Sequence, residues 1–157
     1  MIAQTTEGET RSALAINEVS LLRQTTQAAK IKILINNRMR LNHLIADGVL
    51  VSTPAGSSAY NCAVQGPLIP LSANVLALTP ISPFRPRKWR GALLHHSNSI
   101  RFEILEPDKR PVSASADSLE IRDVHKVKIF ERQDVELTIL FDPQDRFEER
   151  IIKEQFT

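Results

Sequence analysis

Asp47-Gly48-Val49-Leu50-Val51-Ser52-Thr53-Pro54-Ala55-Gly56-Ser57-Ser58-Ala59-Tyr60 contains a turn, a strand, a loop and the start of a helix in one continuous stretch. Asp47-Gly48 turns the chain, and Val49-Leu50-Val51 is a short apolar run suited to a buried strand. That strand ends at Thr53-Pro54, because proline cannot donate to a ladder. Ala55-Gly56-Ser57-Ser58 is a loop of turn residues. Ala59-Tyr60-Asn61-Cys62-Ala63-Val64 then predicts about one and a half helical turns before Gly66-Pro67 stops them. Gly56 lets the backbone approach a ligand with no Cβ in the way, and Ser57 or Ser58 is placed to cap the helix. The freed N–H groups at the helix start attract polar or anionic groups, and Tyr60 adds an aromatic face suited to stacking on a base. An ordinary capped helix with Tyr60 in the core fits the spacing equally well.

Working outward, Ala13 to Leu22 reads as a strand interrupted by Asn17 and Glu18, and Lys30 to Asn36 places Ile31, Ile33 and Ile35 on one face. Asn36-Asn37 predicts a hairpin, followed by a strand in which Met39, Leu41, His43 and Ile45 alternate with Arg40, Asn42 and Leu44. Further strands are expected at Val75–Thr79, Ser99–Leu105, Val112–Ala116, Leu119–Ile121, Val127–Glu131 and Val135–Phe141. Pro107-Asp108, Asp117-Ser118 and Asp142-Pro143 mark the turns between them. Phe147, Ile151, Ile152 and Phe156 suggest a C-terminal amphipathic helix. Many short strands with frequent turns define a mainly β chain of sandwich-like architecture.

The 157 residues fit a single domain, with 42% hydrophobic and 24% charged residues as in ordinary globular proteins. Lys and Arg number 20 against 18 Asp and Glu, so a net charge of +2 gives no broad basic field for nucleic acid. Cys62 is the single cysteine and cannot form an internal disulfide. The polar opening lacks a signal-peptide core, and no apolar run reaches the roughly 20 residues that span a bilayer. A cytoplasmic location without membrane contact is the expectation.

Asn17 and Glu18 are two polar residues in an apolar context, so alternation should turn one of them toward the core side. A buried amide or carboxylate needs partners, which a ribose hydroxyl, an adenine edge or a neighbouring loop can supply. Arg85, Arg87, Lys88 and Arg90 surround Trp89, a set able to clamp phosphate or stack on an aromatic ring, but with Pro83 and Pro86 nearby a solvated surface loop or subunit contact is the favoured reading. His95 and His96 point in different directions in a strand, which speaks against joint metal ligation and for a structural role. Cys62 is expected to be a packed cysteine. There is no Gly-x-Ser-x-Gly elbow, Walker loop, Gly-x-Gly-x-x-Gly or zinc-type spacing, so hydrolase, P-loop and zinc chemistries lose their usual support.

Ala15-Ile16-Asn17-Glu18-Val19 resembles the Asn-Glu motif of NAD kinases, and Asp47 through Tyr60 resembles their Asp-Gly and Thr-Pro-x-Gly-Ser-Thr-Ala-Tyr motifs, in the same order. The similarity continues through Gly66-Pro67, Leu78-Thr79-Pro80-Ile81 and Ser115-Ala116-Asp117. The run from Pro80 to Leu94 is most similar to bacterial members of alphaproteobacterial type. The resemblance implies the C-terminal, dinucleotide-holding domain of that fold, mostly antiparallel β, spanning residues 1–157 without the N-terminal α/β domain. The implied activity is transfer of the terminal phosphate of ATP or polyphosphate to the 2′-hydroxyl of the adenosine ribose of NAD, giving NADP. A divalent metal, magnesium with ATP, would accompany the donor, and a homodimer or homotetramer is implied.

Carried over residue by residue, Asn17 and Glu18 would engage the ribose region, Asp47 the dinucleotide, and Ser58, Ala59 and Tyr60 the adenine. Asp117 and Ser118 would contribute a further substrate contact, and Ser82 falls where a neighbouring subunit contributes. Ala55 and Ala63 stand where members often carry hydroxyls, each removing a possible hydrogen bond worth about 0.5–1.5 kcal/mol; Ser58 replaces Thr, and Gln65 replaces Gly. The family's Gly-Gly-Asp-Gly motif, which carries the catalytic aspartate, does not occur here. The expectation is therefore dinucleotide binding without turnover by this chain alone, with no catalytic residue of its own. A non-catalytic dinucleotide-binding module and a β-rich assembly module are the competing readings.

Overall fold

The computed structural model describes residues 1–140 together with Glu149, Ile152, Lys153 and Phe156. Its strands form two six-stranded sheets. The first contains β1 (Ile2–Thr5), β2 (Thr10–Ser12), β4 (Ala29–Ile35), β5 (Arg38–Ala46), β9 (Ile100–Ile104) and β12 (Val124–Ile129), in the order β2-β1-β12-β9-β4-β5. The second contains β3 (Glu18–Arg23), β6 (Gly48–Ser52), β7 (Val75–Ile81), β8 (Ala92–His95), β10 (Val112–Ala116) and β11 (Leu119–Ile121), in the order β11-β10-β3-β6-β7-β8. Every strand pairing within them is antiparallel.

One apolar core lies between the sheets. Ala3, Ile31, Ile33, Leu44, Phe102 and Val127 enter it from the first, and Val19, Leu21, Val49, Val51, Leu78, Val112 and Ala114 from the second. Strand alternation puts these residues on the inner faces and leaves Glu18, Ser20, Leu22, Leu50, Ser52 and Thr79 on the outer face of the second sheet. The Asn36-Asn37 hairpin is formed as expected, both residues taking positive φ (50° and 62°), as a two-residue primed turn requires. The β4–β5 register shifts between Ile31 and Ile33, which pair with Leu44 and Leu41. This bulge puts Leu41 and Leu44 against the core together, where simple alternation would have separated them.

Several expected boundaries differ. The strand anticipated over Ala13–Leu22 begins only at Glu18, because the backbone of Ile16 and Asn17 bonds to Asp117 and Thr53 instead of a ladder. Strands β1, β2 and β8 were not expected; β1 forms as the partner of β12, β2 as the partner of β1 and β8 as the partner of β7. Val135–Leu140 is not in a strand, and Phe141 lies outside the described residues. The C-terminal helix expected from Phe147 and Ile151 falls largely outside them too, although Glu149, Ile152 and Lys153 are helical.

Candidate functional site

A 3₁₀ turn (Ala55–Ser58) and a single α-helical turn, α1 (Tyr60–Ala63), follow β6 and lie against the outer face of the second sheet. This segment is pinned by buried polar groups. Ser57 donates to Pro54 O (2.7 Å) and accepts from the Ile69 amide (3.0 Å). Asn61, wholly buried, accepts from Thr79 Oγ1 (2.7 Å) on β7 and donates to Pro67 O (2.8 Å). Neither helical turn carries a side-chain cap, so the capping role expected of Ser57 or Ser58 is not realised. Ser57 is committed to loop carbonyl and amide instead.

Gly56 also serves a different purpose from the ligand approach expected of it. A Cβ there would stand 2.2 Å from Asn17 O, so the missing side chain lets the loop press against the backbone of Asn17. Thr53 secures the same junction. Its amide donates to Asn17 O (2.9 Å), its hydroxyl donates to Ile16 O (2.7 Å), and that hydroxyl accepts from the Gly56 amide (3.1 Å). Across the segment, the Asp117 carboxylate accepts the amides of Ile16 (2.7 Å), Asn17 (3.1 Å) and Glu18 (3.1 Å). The two motifs, separate in sequence, are one piece of structure.

Asn17 is exposed and its side chain makes no hydrogen bond to the described residues, so it does not face the core. Glu18 is half-buried and its Oε2 is sheltered with no partner. Burial, followed by the nearby Asp117 charge, raises its carboxyl pKa above the ordinary value. Tyr60 is half-buried at the first position of α1. Its phenol pKa is pushed up by burial and then by the charges of Glu18 and Asp47. Asp47, at the bend before β6, takes a 2.5 Å ion pair from Arg23 Nε. Asp47, Arg23, Gln24, Thr25, Tyr60 and Ile81 line an open groove of about 570 Å³.

Ser58 is half-buried and Ala59 exposed at the turn leading into α1. Ser82 is exposed, with φ of 47°, just beyond β7. It borders a second groove of about 530 Å³ shared with Ala63, Gln65, Trp89 and Arg90. Asp117 and Ser118 occupy the exposed turn between β10 and β11, but of the two only Asp117, through its carboxylate and its backbone amide, reaches back to the Asn17-Glu18 segment in the described contacts. The structure thus gathers Asn17, Glu18, Asp47, Tyr60 and Asp117 around one outer face, while Ser82 belongs to the neighbouring groove.

The sequence reading missed Thr53, Asn61 and Arg23. Thr53 lay inside the quoted motif but was read only as a strand end. Asn61 could have been found as a polar residue on a short helix beside Tyr60; Arg23 carries no local signal. Trp89 packs against the core while Arg85, Arg87, Lys88 and Arg90 are exposed around it. His96 Nδ1 is hydrogen-bonded to Glu131 and His95 Nδ1 to Ser97 (2.7 Å), in keeping with structural roles. Cys62 is exposed, contrary to the packed position expected, because a single helical turn leaves its outer side uncovered.

A two-sheet antiparallel domain with a motif-bearing loop clamped over an outer sheet face is the class that this geometry defines. Residues 16–131 match the ATP-NAD kinase C-terminal domain, and the chain belongs to that family. It is 56% identical to the NAD kinase of Mesorhizobium japonicum over 99% of this chain and 61% of that protein. It is 58% identical to the NAD kinase of Caulobacter vibrioides over 92% of this chain and 56% of that protein. The NAD kinase of Xylella fastidiosa shares 56% identity over 99% of this chain and 60% of that protein. The chain therefore spans only about three fifths of the length of these relatives. Yeast NADH kinase complexed with NADH superposes with a TM-score of 0.73 at 25% identity, covering 82% of this chain and 38% of that one. An NAD kinase from Archaeoglobus fulgidus in complex with ATP shares the fold at a TM-score of 0.67 and 20% identity, covering 76% of this chain and 46% of that one. Among the described residues, no helix is long and apolar enough to cross a membrane.

Proposed function

We propose that this chain holds the acceptor dinucleotide of an NAD kinase, with Asn17, Glu18, Asp47, Ser58, Ala59 and Tyr60 as its contacts. The observation that carries the reading is the clamp joining the Asn17-Glu18 segment to the Thr53–Tyr60 loop, which leaves the Asn17 side-chain amide without a partner among the described residues and Glu18 Oε2 unpartnered. A free amide can pair with both donor and acceptor edges, a carboxyl can take ribose hydroxyls, and the Tyr60 ring offers a stacking face. Family membership, and the NADH named with the yeast relative, favour a dinucleotide over other ligands.

The reaction assigned is phosphoryl transfer from ATP or polyphosphate to the 2′-hydroxyl of NAD, giving NADP. Such transfer depends mainly on positioning and charge neutralisation, and this chain contributes the positioning of the acceptor. Ser82 would contribute from its separate groove, and Ser118 at the rim beside Asp117. The donor site and the catalytic aspartate would belong to the part of the relatives that this chain does not span, so the isolated chain binds NAD without turnover. A homodimer or homotetramer in the cytoplasm is the assembly assigned. Magnesium would come with ATP; among the described residues no group of three or more His, Cys, Asp or Glu is placed to hold a metal ion.

Calorimetric titration of NAD into the chain and into Asn17→Ala, at matched ionic strength, tests the reading. Loss of one or two hydrogen bonds should weaken binding roughly 3- to 10-fold. Absence of binding to either protein, or equal affinity for both, removes Asn17 and this face from the acceptor site.

A further inference from the structure

Asp117 resembles a substrate contact in sequence, yet its carboxylate is already occupied. Oδ2 accepts the Ile16 amide at 2.7 Å, while Oδ1 accepts the amides of Asn17 and Glu18, each at 3.1 Å. A carboxylate offers about four acceptor positions, so three are spent on consecutive backbone amides. The Asp117 amide in turn donates to Glu18 O at 3.1 Å. We infer that Asp117 is a positioning residue: it acts on the ligand through Asn17 and Glu18, fixing their backbone and setting a negative charge beside the Glu18 carboxyl. This rests on the dinucleotide reading above.

The physical case begins with three N–H groups converging on one point. Such a concave nest of amides attracts an anion, and a carboxylate fills it better than a neutral acceptor. Without it, three amides at the start of β3 would need other partners, since the β6 and β10 ladders reach only to Glu18 and Val19. Asp117 holds φ of 48°, which carries its side chain from the β10–β11 turn back over the segment. From the opposite side Thr53 takes the carbonyls of Ile16 and Asn17. With both polar edges of the backbone committed, the Asn17 and Glu18 side chains leave the segment in defined directions.

The second effect is electrostatic. Glu18 is faced by Asp117 from the β10–β11 turn and by Tyr60 from α1. Burial raises the Glu18 pKa first and the Asp117 charge adds to it. Removing that charge while keeping an acceptor should therefore let Glu18 ionise at lower pH.

The experiment compares the parent, Asp117→Asn and Asp117→Ala without ligand and then with NAD. In ligand-free protein, amide hydrogen exchange at Ile16, Asn17 and Glu18 should accelerate about tenfold in Asp117→Ala, the loss of one charge-assisted bond per amide, and less in Asp117→Asn. Amides of β12, in the other sheet, should not change. A carbon-detected titration of the Glu18 carboxyl should move to lower pH in Asp117→Asn, and the pH profile of NAD affinity should move with it. A merely structural loss would not shift that profile. Weaker NAD binding in Asp117→Asn with unchanged amide exchange and an unchanged Glu18 titration would overturn the inference and make Asp117 a direct contact. If Asp117→Ala does not fold, Asp117→Asn and its titration decide. If the parent binds no NAD, the dinucleotide reading fails, while the two ligand-free measurements still decide the role of Asp117.

Discussion

Replacing Gly56 by alanine separates two roles for the loop after β6. A Cβ at this position would lie 2.2 Å from Asn17 O, 2.4 Å from its carbonyl carbon and 2.5 Å from its Cα. All three are backbone atoms, and Asn17 is held on one side by the Thr53 amide (2.9 Å) and on the other by Asp117 (3.1 Å). No rotamer change can relieve the contact, so the turn must back away and stretch the Gly56 bond to Thr53 Oγ1, now 3.1 Å. Overpacking of this kind costs about 1–3 kcal/mol, and the weakened hydrogen bond adds about 1 kcal/mol. At about 2–4 °C per kcal/mol for a domain of this size, the sum of about 2–4 kcal/mol lowers the melting temperature by about 4–16 °C. Thermal melting followed by circular dichroism, without ligand, reads this directly, and NAD calorimetry should show weaker binding because Asn17 is displaced. Gly8→Ala is the control: nothing lies within 4 Å of its Cβ, and only its φ of +87° is strained. That change should cost about 1–2 kcal/mol and leave NAD affinity alone. An unchanged melting temperature for Gly56→Ala would refute the packing argument; if NAD affinity fell nonetheless, Gly56 would be making room for ligand rather than for Asn17.

Asn61→Ala leaves the Thr79 hydroxyl and the Pro67 carbonyl without their partner in a buried site, and should cost about 2–4 kcal/mol in urea unfolding; a loss under about 1 kcal/mol would show that water replaces the side chain. Glu18 has its pKa raised by burial and then by Asp117, so the folded state binds the proton more tightly than the unfolded chain and stability falls as pH rises from the unfolded value through the folded one. Glu18→Gln should therefore raise the melting temperature at neutral pH while weakening NAD binding, and a lower melting temperature there contradicts the argument. Glu103 behaves oppositely. Its pKa is lowered first by the Lys32 hydrogen bond (3.0 Å) and further by the charges of Lys32, Arg101 and Lys126, against a contrary contribution from burial. Its stabilisation is present above the unfolded pKa and lost as pH falls through the folded one, so Glu103→Gln should melt lower than the parent at neutral pH and converge with it in acid. A constant gap across that range would remove the ion pair from the account.

Much of the fold was legible where the signal is local. Ile31, Ile33 and Ile35 repeat every second residue and do line the core, Val49-Leu50-Val51 is buried throughout, and Asn36-Asn37 makes the expected turn. The two register shifts in β5 were not legible, because an extra residue is visible only against its partner strand. The edge strand β2 and its neighbour β1 were missed for a related reason: their side chains carry little apolar pattern, and β1 is in a sheet because β12 offers its backbone a ladder.

For the candidate site, the motifs named the region while the structure assigned the tasks. Gly56 and Asp117 both looked like ligand-facing residues; one packs on Asn17 and the other holds its amide. Sequence by itself determined the β-rich class, the Asn36-Asn37 hairpin, the strand, loop and short helix around Tyr60, and the kinship carried by two ordered motifs. Only the tertiary structure decided the order of strands in the two sheets and the clamp that joins Asp117 to Asn17 across a separation of 100 residues. Periodicity and turn chemistry act over a few neighbouring residues and are written in the chain. A hydrogen bond between distant segments depends on which backbones the closing core brings together, and that is settled by packing.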